Sequence, residues 1–379
     1  MASFPDLTAS QAFDVYVDSL PAYIDRGHIN FMNVYQNHEL LMRLWSGERS
    51  PERTGTIPTW HVTKPLATAT QFQGPYTAST FTVEDGDKLA QAQWCYAQHN
   101  METSVQEING LNGDGAALIK LRDSRMGRMQ NRFADDIEAS MWAAPASASD
   151  TNHVYGFPYM FPAITGAQAT IELATPSTSK FRGGNPYYSG GDQAATWCGI
   201  DRSTTANASF RSWNDVWPNS TGEWTDAAVT DLSNGMRQID FRNPPNQTES
   251  VAKPFDLVLY MNLTSISQGE AKARKNNDTV DPIGGNRYDL ARGYGCTLFR
   301  GFPMKWVSQL DTDTSNPIYF VNHQHIETPI LKGDKFRMET PRPTPTYANL
   351  IRTLVFLTYS VAVLDPQKAG GRISYVAAA

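Results

Sequence analysis

The stretch that most constrains this chain is Asp114–Ala143, DGAALIKLRDSRMGRMQNRFADDIEASMWA. Ile119, Met126, Met129, Phe133, Ile137 and Met141 recur at intervals of three, four or seven, which draws one apolar stripe along a helix. Asn112-Gly113-Asp114 supplies a turn and an N-cap, since the Asp114 carboxylate can accept from the first free backbone N–H groups. Gly127 costs about 1 kcal/mol relative to alanine without stopping a helix. Pro145 ends the pattern. At about 1.5 Å per residue the helix is roughly 40 Å long, more than the width of a small domain. A single apolar stripe on so long a rod suits a strut laid across a sheet; a core helix of an enzyme is the other reading. Arg125, Arg128 and Arg132 run beside the apolar stripe. They suit carboxylates on this chain or on a neighbour better than a phosphate.

What precedes the helix cannot fold by itself. Residues 1–53 read as an arm, with Phe13, Tyr16, Val17 and Leu20 in one short helix and His38–Trp45 in a second amphipathic piece. Neither buries its apolar face alone, so both must dock elsewhere. Residues 54–87 are rich in Thr, Gly, Pro and aromatics and nearly free of charge. Thr59–Thr63 and Thr80–Val83 alternate in the manner of strands, with Gln73-Gly-Pro75 between them. The pattern is a long hairpin with a ragged tip and too few apolar residues for a core, and a lone hairpin is marginal in water. It therefore needs another surface, and an arm lapping over a neighbouring subunit meets that need. Ala90, Ala92, Trp94 and Tyr96 then share one face of a half-buried strand that leads into the long helix.

The chain has 379 residues, a net charge of −6 and no apolar run of membrane-spanning length. No strong basic footprint for nucleic acid is present. Cys95, Cys198 and Cys296 are widely spaced and odd in number, which argues against a disulfide framework or structural zinc and for a reducing cytoplasm. The start MASFPDLTAS has neither a basic n-region nor an apolar core, so no secretory signal is read there.

Beyond the helix, residues 165–225 are low in charge and read as loops with short strands, with Gly199-Ile-Asp-Arg202 and Trp213 among them. Leu232–Ile239 and Leu263–Ala273 are helical, and Phe255–Met261 is a strand of the kind buried on both faces. Leu298–Val307, Pro317–Val321, Lys335–Met338 and Thr353–Leu364 follow as strands. His323-Gln-His325-Ile-Glu327 is the best metal candidate, because on a strand its three ligands would share a face. A metal-dependent, cupin-like enzyme or a carbohydrate-active one on this β-rich half is the alternative function. The opposing reading of the same residues is a polar loop. No GxSxG, HExxH or phosphate-binding glycine loop occurs, and nothing assembles a nucleophile, a base and an orienting group.

The Gly55–Trp60 approach to an extended loop, the Trp94 strand, the Asn112-Gly-Asp-Gly-Ala turn, the long helix, and Gly199-Ile-Asp-Arg202 with Trp213 come in that order. In that order and spacing they resemble the major capsid proteins of tailed bacteriophages, the Hong Kong 97 type of shell protein. The resemblance covers most of the chain. It implies an α+β fold with an N-terminal arm at 1–53, an extended β-hairpin loop at 54–87, and a peripheral domain at 88–164 carrying the spine helix 114–143. It further implies a loop-rich region or inserted lobe at 165–225, and an axial domain with returning peripheral strands at 226–379. The implied protein is no enzyme and holds no cofactor or metal. It self-assembles into hexamers and pentamers of an icosahedral virion capsid, in the host bacterial cytoplasm, around double-stranded DNA that it encloses without sequence-specific binding. Scaffolding, portal and decoration proteins are the further partners the resemblance allows, and no membrane is involved. The region before the loop is too short for a fused scaffold, and Lys64 does not by itself mark a cross-link. Trp60, Phe72, Tyr76, Phe81, Arg125, Arg128 and Arg132 are the expected inter-subunit contacts.

Overall fold

A computed structural model of the protein describes residues 38–45, 49–63, 87–110, 115–147, 150, 152–164, 181–182, 196–202, 207, 210–217, 223–241, 256–277, 297–299, 302–339, 342–343 and 350–374. The expected Phe13–Leu20 helix, the body of the extended loop, the Asp114 cap and Cys296 lie outside them. By their contacts the residues fall into two compact units. One comprises Met1–Thr56, Trp94–Ser140 and Thr328–Ser360; the other comprises Ile57–Gln93, Met141–Glu327 and Val361–Ala379.

The first unit is built on the strand Leu350–Tyr359. It pairs antiparallel with Cys95–Ser104 along its whole length, and with Ile330–Leu331, Arg337–Met338 and Arg342–Pro343. Glu52–Arg53 extends the sheet parallel to Ile330–Leu331. The long helix runs over Gly115–Met141. Met126, Met129, Phe133 and Ile137 of its apolar stripe are buried, so the expected strut has its expected inner face. Phe133 meets His99 of the long strand pair at 6.0 Å and Phe336 at 6.2 Å, and the Ser140 hydroxyl hydrogen-bonds the Tyr359 hydroxyl. Ile119 lies within the helix span. The short helix Glu39–Leu44 buries Leu40, Leu41 and Leu44 completely, which is the docking that its apolar face requires.

The second unit holds a seven-stranded mixed sheet. Leu257–Met261 lies between Ile318–Asn322 and Phe302–Trp306, and all five of its residues are buried, as its continuous apolar run demands. Helix Asp226–Phe241 turns Ala228, Leu232, Met236 and Ile239 onto Trp213, Leu259 and Phe320. Its first turn is capped by the Thr225 hydroxyl, which accepts from the Ala228 amide at 3.2 Å. Helix Leu263–Asn277 is capped in the same way by Asn262, whose side-chain oxygen accepts from Ser265 N at 2.8 Å. Both helices are longer than the sequence pattern indicates. Trp142 packs on Tyr260 at 5.3 Å, Tyr319 at 5.5 Å and Phe157 at 5.0 Å.

Four sequence expectations change. The single strand over Ala90–Tyr96 is two, Asp87–Gln91 and Cys95–Ser104, which belong to different units. Ala90, Ala92 and Trp94 are buried as expected, but across the break the inward phase moves to Cys95, and Tyr96 faces solvent. Leu298–Val307 is a hairpin of Thr297–Phe299 and Phe302–Trp306 rather than one strand. Thr353–Leu364 is divided, with Ala362–Val363 leaving to pair with Ile326–Glu327. The last strand is Gly370–Ser374, inserted between Ile318–Asn322 and Ser212–Val216.

Candidate functional site

Two surfaces carry the residues singled out by the sequence: the root of the extended hairpin and the outer edge of the long helix. At the root, Thr59–Thr63 pairs antiparallel with Asp87–Gln91, with Trp60 opposite Ala90 and His61 opposite Leu89. The two faces of this ribbon differ sharply. Trp60, Val62 and Ala90 are buried, whereas Thr59, His61, Leu89 and Gln91 are exposed. Trp60, an expected contact between subunits, is 3% exposed, and its indole N–H donates to the Val363 carbonyl of its own chain at 2.9 Å. Leu89, at 54%, is the large apolar side chain that the open face presents.

Further bonds fix the root in place. The Gln91 amide donates to the Cys198 carbonyl at 3.0 Å, and the Ala92 amide donates to Pro58 O at 3.1 Å. The Gln93 side-chain amide donates to the carbonyls of Asp150 at 2.5 Å and His153 at 2.9 Å. Cys198 can reach the ribbon because Trp197 and Ile200 exchange reciprocal 2.8 Å backbone bonds around a two-residue turn. Both central residues have positive φ, 48° at Cys198 and 83° at Gly199, as a type I′ turn requires. Behind the turn, the Arg202 guanidinium lies 5.1 Å from the Trp197 ring centre, and burial lowers its pKa to about 10. The Cys198 thiol is pushed up by burial, so it packs as an apolar group and is no nucleophile. Gly199-Ile-Asp-Arg202 is thus a buttress for the hairpin root. The feature that sequence reasoning missed is this turn against Gln91, since a Cys-Gly pair is not a familiar type I′ signal.

Along the long helix the three arginines separate. Arg125 is drawn inward: it pairs with Glu107 at 2.6 Å and donates to the Glu102 carbonyl at 3.0 Å. The hydrogen bond from Arg125 holds the Glu107 carboxyl below its usual pKa. Arg132 pairs with Asp136 one turn along at 2.9 Å, an exposed pair worth a few tenths of a kcal/mol, about 0.3–0.5. Arg128 is exposed and has no ion pair among the described residues. Phe72, Tyr76 and Phe81 lie outside the described residues.

The histidine pair does not form a metal site. His323–His325 is a 3-10 turn and not part of a strand, because Asn322 caps it by accepting from Gln324 N at 3.2 Å. His323 is fully buried, with Nε2 3.0 Å from the Tyr260 hydroxyl and Nδ1 3.2 Å from the Asp256 carbonyl. Burial lowers the pKa of His325 to about 4, so it is neutral. Among the described residues no three His, Cys, Asp or Glu side chains are grouped so as to hold a metal ion. No helix among them is long and apolar enough to cross a membrane.

No protein-family model matches the chain, and no curated protein matches it significantly. Solved structures do. The capsid asymmetric unit of cyanophage A-1(L) superposes with a TM-score of 0.58, covering 90% of this chain and 93% of that one at 12% identity. The fold is that of a phage capsid protein. At lower similarity stand the SrpI encapsulin complex of Synechococcus elongatus PCC 7942 (TM-score 0.47, 10% identity, 88% of this chain and 86% of that one) and the capsid of an empty GTA particle (0.46, 10%, 88% and 95%). The mixed helix and strand architecture is therefore the capsid type expected from the sequence, and the cupin-like or carbohydrate-active alternative has no support.

Proposed function

We propose that the protein is a major capsid protein of a tailed phage. Copies assemble into hexamers and pentamers that close an icosahedral shell around double-stranded DNA. The observation that carries this is the likeness to the cyanophage A-1(L) capsid subunit, which extends over nine-tenths of both chains. A hairpin whose root is held by its own chain, while one face of that root stays open, fits the same reading. The sheet of Leu350–Tyr359 with the long helix takes the part of the peripheral domain, and the seven-stranded sheet that of the axial domain. Obligate interfaces of such assemblies bury about 2,000–5,000 Å² or more, which lapped arms and loops supply. Arg128, exposed and without an ion pair among the described residues, is the arginine of the stripe best placed to meet a carboxylate of a neighbouring copy. The protein's role is mechanical and needs no cofactor; scaffolding, portal and decoration proteins would act around it.

Electron microscopy and light scattering of the full chain test the reading. Closed particles are expected, and deletion of Gln71–Ser79 should abolish them while leaving the circular dichroism of the monomer unchanged. A folded wild-type chain that stays monomeric across concentration, salt and crowding agent would sink the shell assignment. Particle formation by the deletion variant would sink only the role of the loop.

A further inference from the structure

The first described residue of the arm makes the most specific polar contact on the long helix, and neither the shell reading nor the arginine stripe accounts for it. His38 stands immediately before the short helix Glu39–Leu44. Its Nδ1 lies 2.8 Å from Glu138 Oε2, and its Nε2 lies 2.9 Å from Asp135 Oδ1. Asp135 and Glu138 are three residues apart on the long helix, so both carboxylates reach the ring from one helix face. A neutral imidazole carries one N–H and can donate to only one of them; the imidazolium donates to both. Glu138 is buried, which gives that bond a low-dielectric setting.

We infer that His38 is a proton-operated clamp that holds the start of the short helix Glu39–Leu44 on the long helix. Among the described residues Asp135 and Glu138 are the charged groups acting on the ring. They and their hydrogen bonds, that of Glu138 first, outweigh partial burial and hold its pKa above the ordinary 6.5. Arg43 lies further along the same short helix, in its last turn. A raised folded pKa means the clamp is complete below pH 6.5 and is lost as pH rises through the folded value. The three groups do not chelate a metal, because the carboxylates sit on opposite ring nitrogens. The clamp adds to the apolar docking of the short helix, in which Leu40, Leu41 and Leu44 are fully buried.

Hydrogen exchange of the Glu39–Leu44 amides in the full chain, corrected for intrinsic rates, tests the clamp against His38→Gln. Wild type should be protected several-fold more than the variant at pH 6 and equally at pH 9. Glu138→Gln should remove the advantage at pH 6. Amides of Leu350–Tyr359 serve as a control for the fold. A wild-type to variant ratio that does not change with pH overturns the inference. If the control strand also loses protection in the variants, the imidazole titration followed by NMR in wild type decides. A midpoint above 6.5 supports the clamp, and one at or below it refutes the clamp.

Discussion

Replacing Trp60 with Phe isolates the contribution of one hydrogen bond to the root of the hairpin. Phenylalanine keeps an aromatic ring on the buried face but removes the indole N–H that reaches Val363 O at 2.9 Å. The carbonyl is left in a buried setting with its donor gone, at a cost of about 1–3 kcal/mol. The smaller ring forfeits about 1 kcal/mol more of packing. The sum, about 2–4 kcal/mol, corresponds to roughly a 30- to 1,000-fold rise in the opening constant of the root. The Gln91 and Ala92 amides report that opening directly, because they donate to Cys198 and Pro58 across the root. Their hydrogen exchange, measured in the full chain, should accelerate by that factor. Leu89→Ala, on the open face of the same ribbon, should leave both amides as protected as in wild type. Unchanged exchange in Trp60→Phe, or equal acceleration in Leu89→Ala, would refute the assignment of an anchored and a free face.

Two glycines should respond in opposite ways. A Cβ on Gly371 would lie 2.0 Å from Trp213 O in the middle of the seven-stranded sheet, so Gly371→Ala should cost more than about 3 kcal/mol and show as lost soluble yield and a lowered melting temperature. A Cβ on Gly127 would meet nothing within 4 Å, so Gly127→Ala should stabilise the long helix by about 1 kcal/mol and raise that temperature. Asp311 accepts from the Leu263 amide at 2.7 Å and from the indole of the half-exposed Trp306 at 3.0 Å. Asp311→Ala should cost about 1–2 kcal/mol and speed exchange at the start of the Leu263–Asn277 helix.

Long regular patterns were legible in the sequence because one period governs them. The apolar stripe from Met126 to Ile137 marked a helix with one buried face, and the run Leu257–Met261 marked a strand with two. Changes of phase were not legible. Alternation continues unbroken from Ala90 to Tyr96, yet the chain changes sheets at residues 92–94, and nothing local records that Cys95 has become the inward residue. Gly370-Gly371 follows no such period; these glycines mark close backbone approach, since Phe320 O and Trp213 O come within 2.0 Å of where a Cβ would stand. Of the two readings of the histidine pair the polar loop holds, because Asn322 caps a turn just where the strand pattern could have continued. For the arginines, spacing put all three on one stripe; only the position of Glu107, on a short helix the sequence did not reveal, separates Arg125 from Arg128.

The strand Leu350–Tyr359 holds the first sheet together, and its main partner, Cys95–Ser104, emerges from the ribosome far earlier. At about 5–20 residues per second the partner waits for some tens of seconds. Throughout that interval the apolar stripe of the long helix has no completed sheet to cover it. Such late, non-local pairing is slow to form and prone to aggregation. The same delay makes the growing chain a natural client for holding chaperones, and shortening it by circular permutation should lessen that dependence.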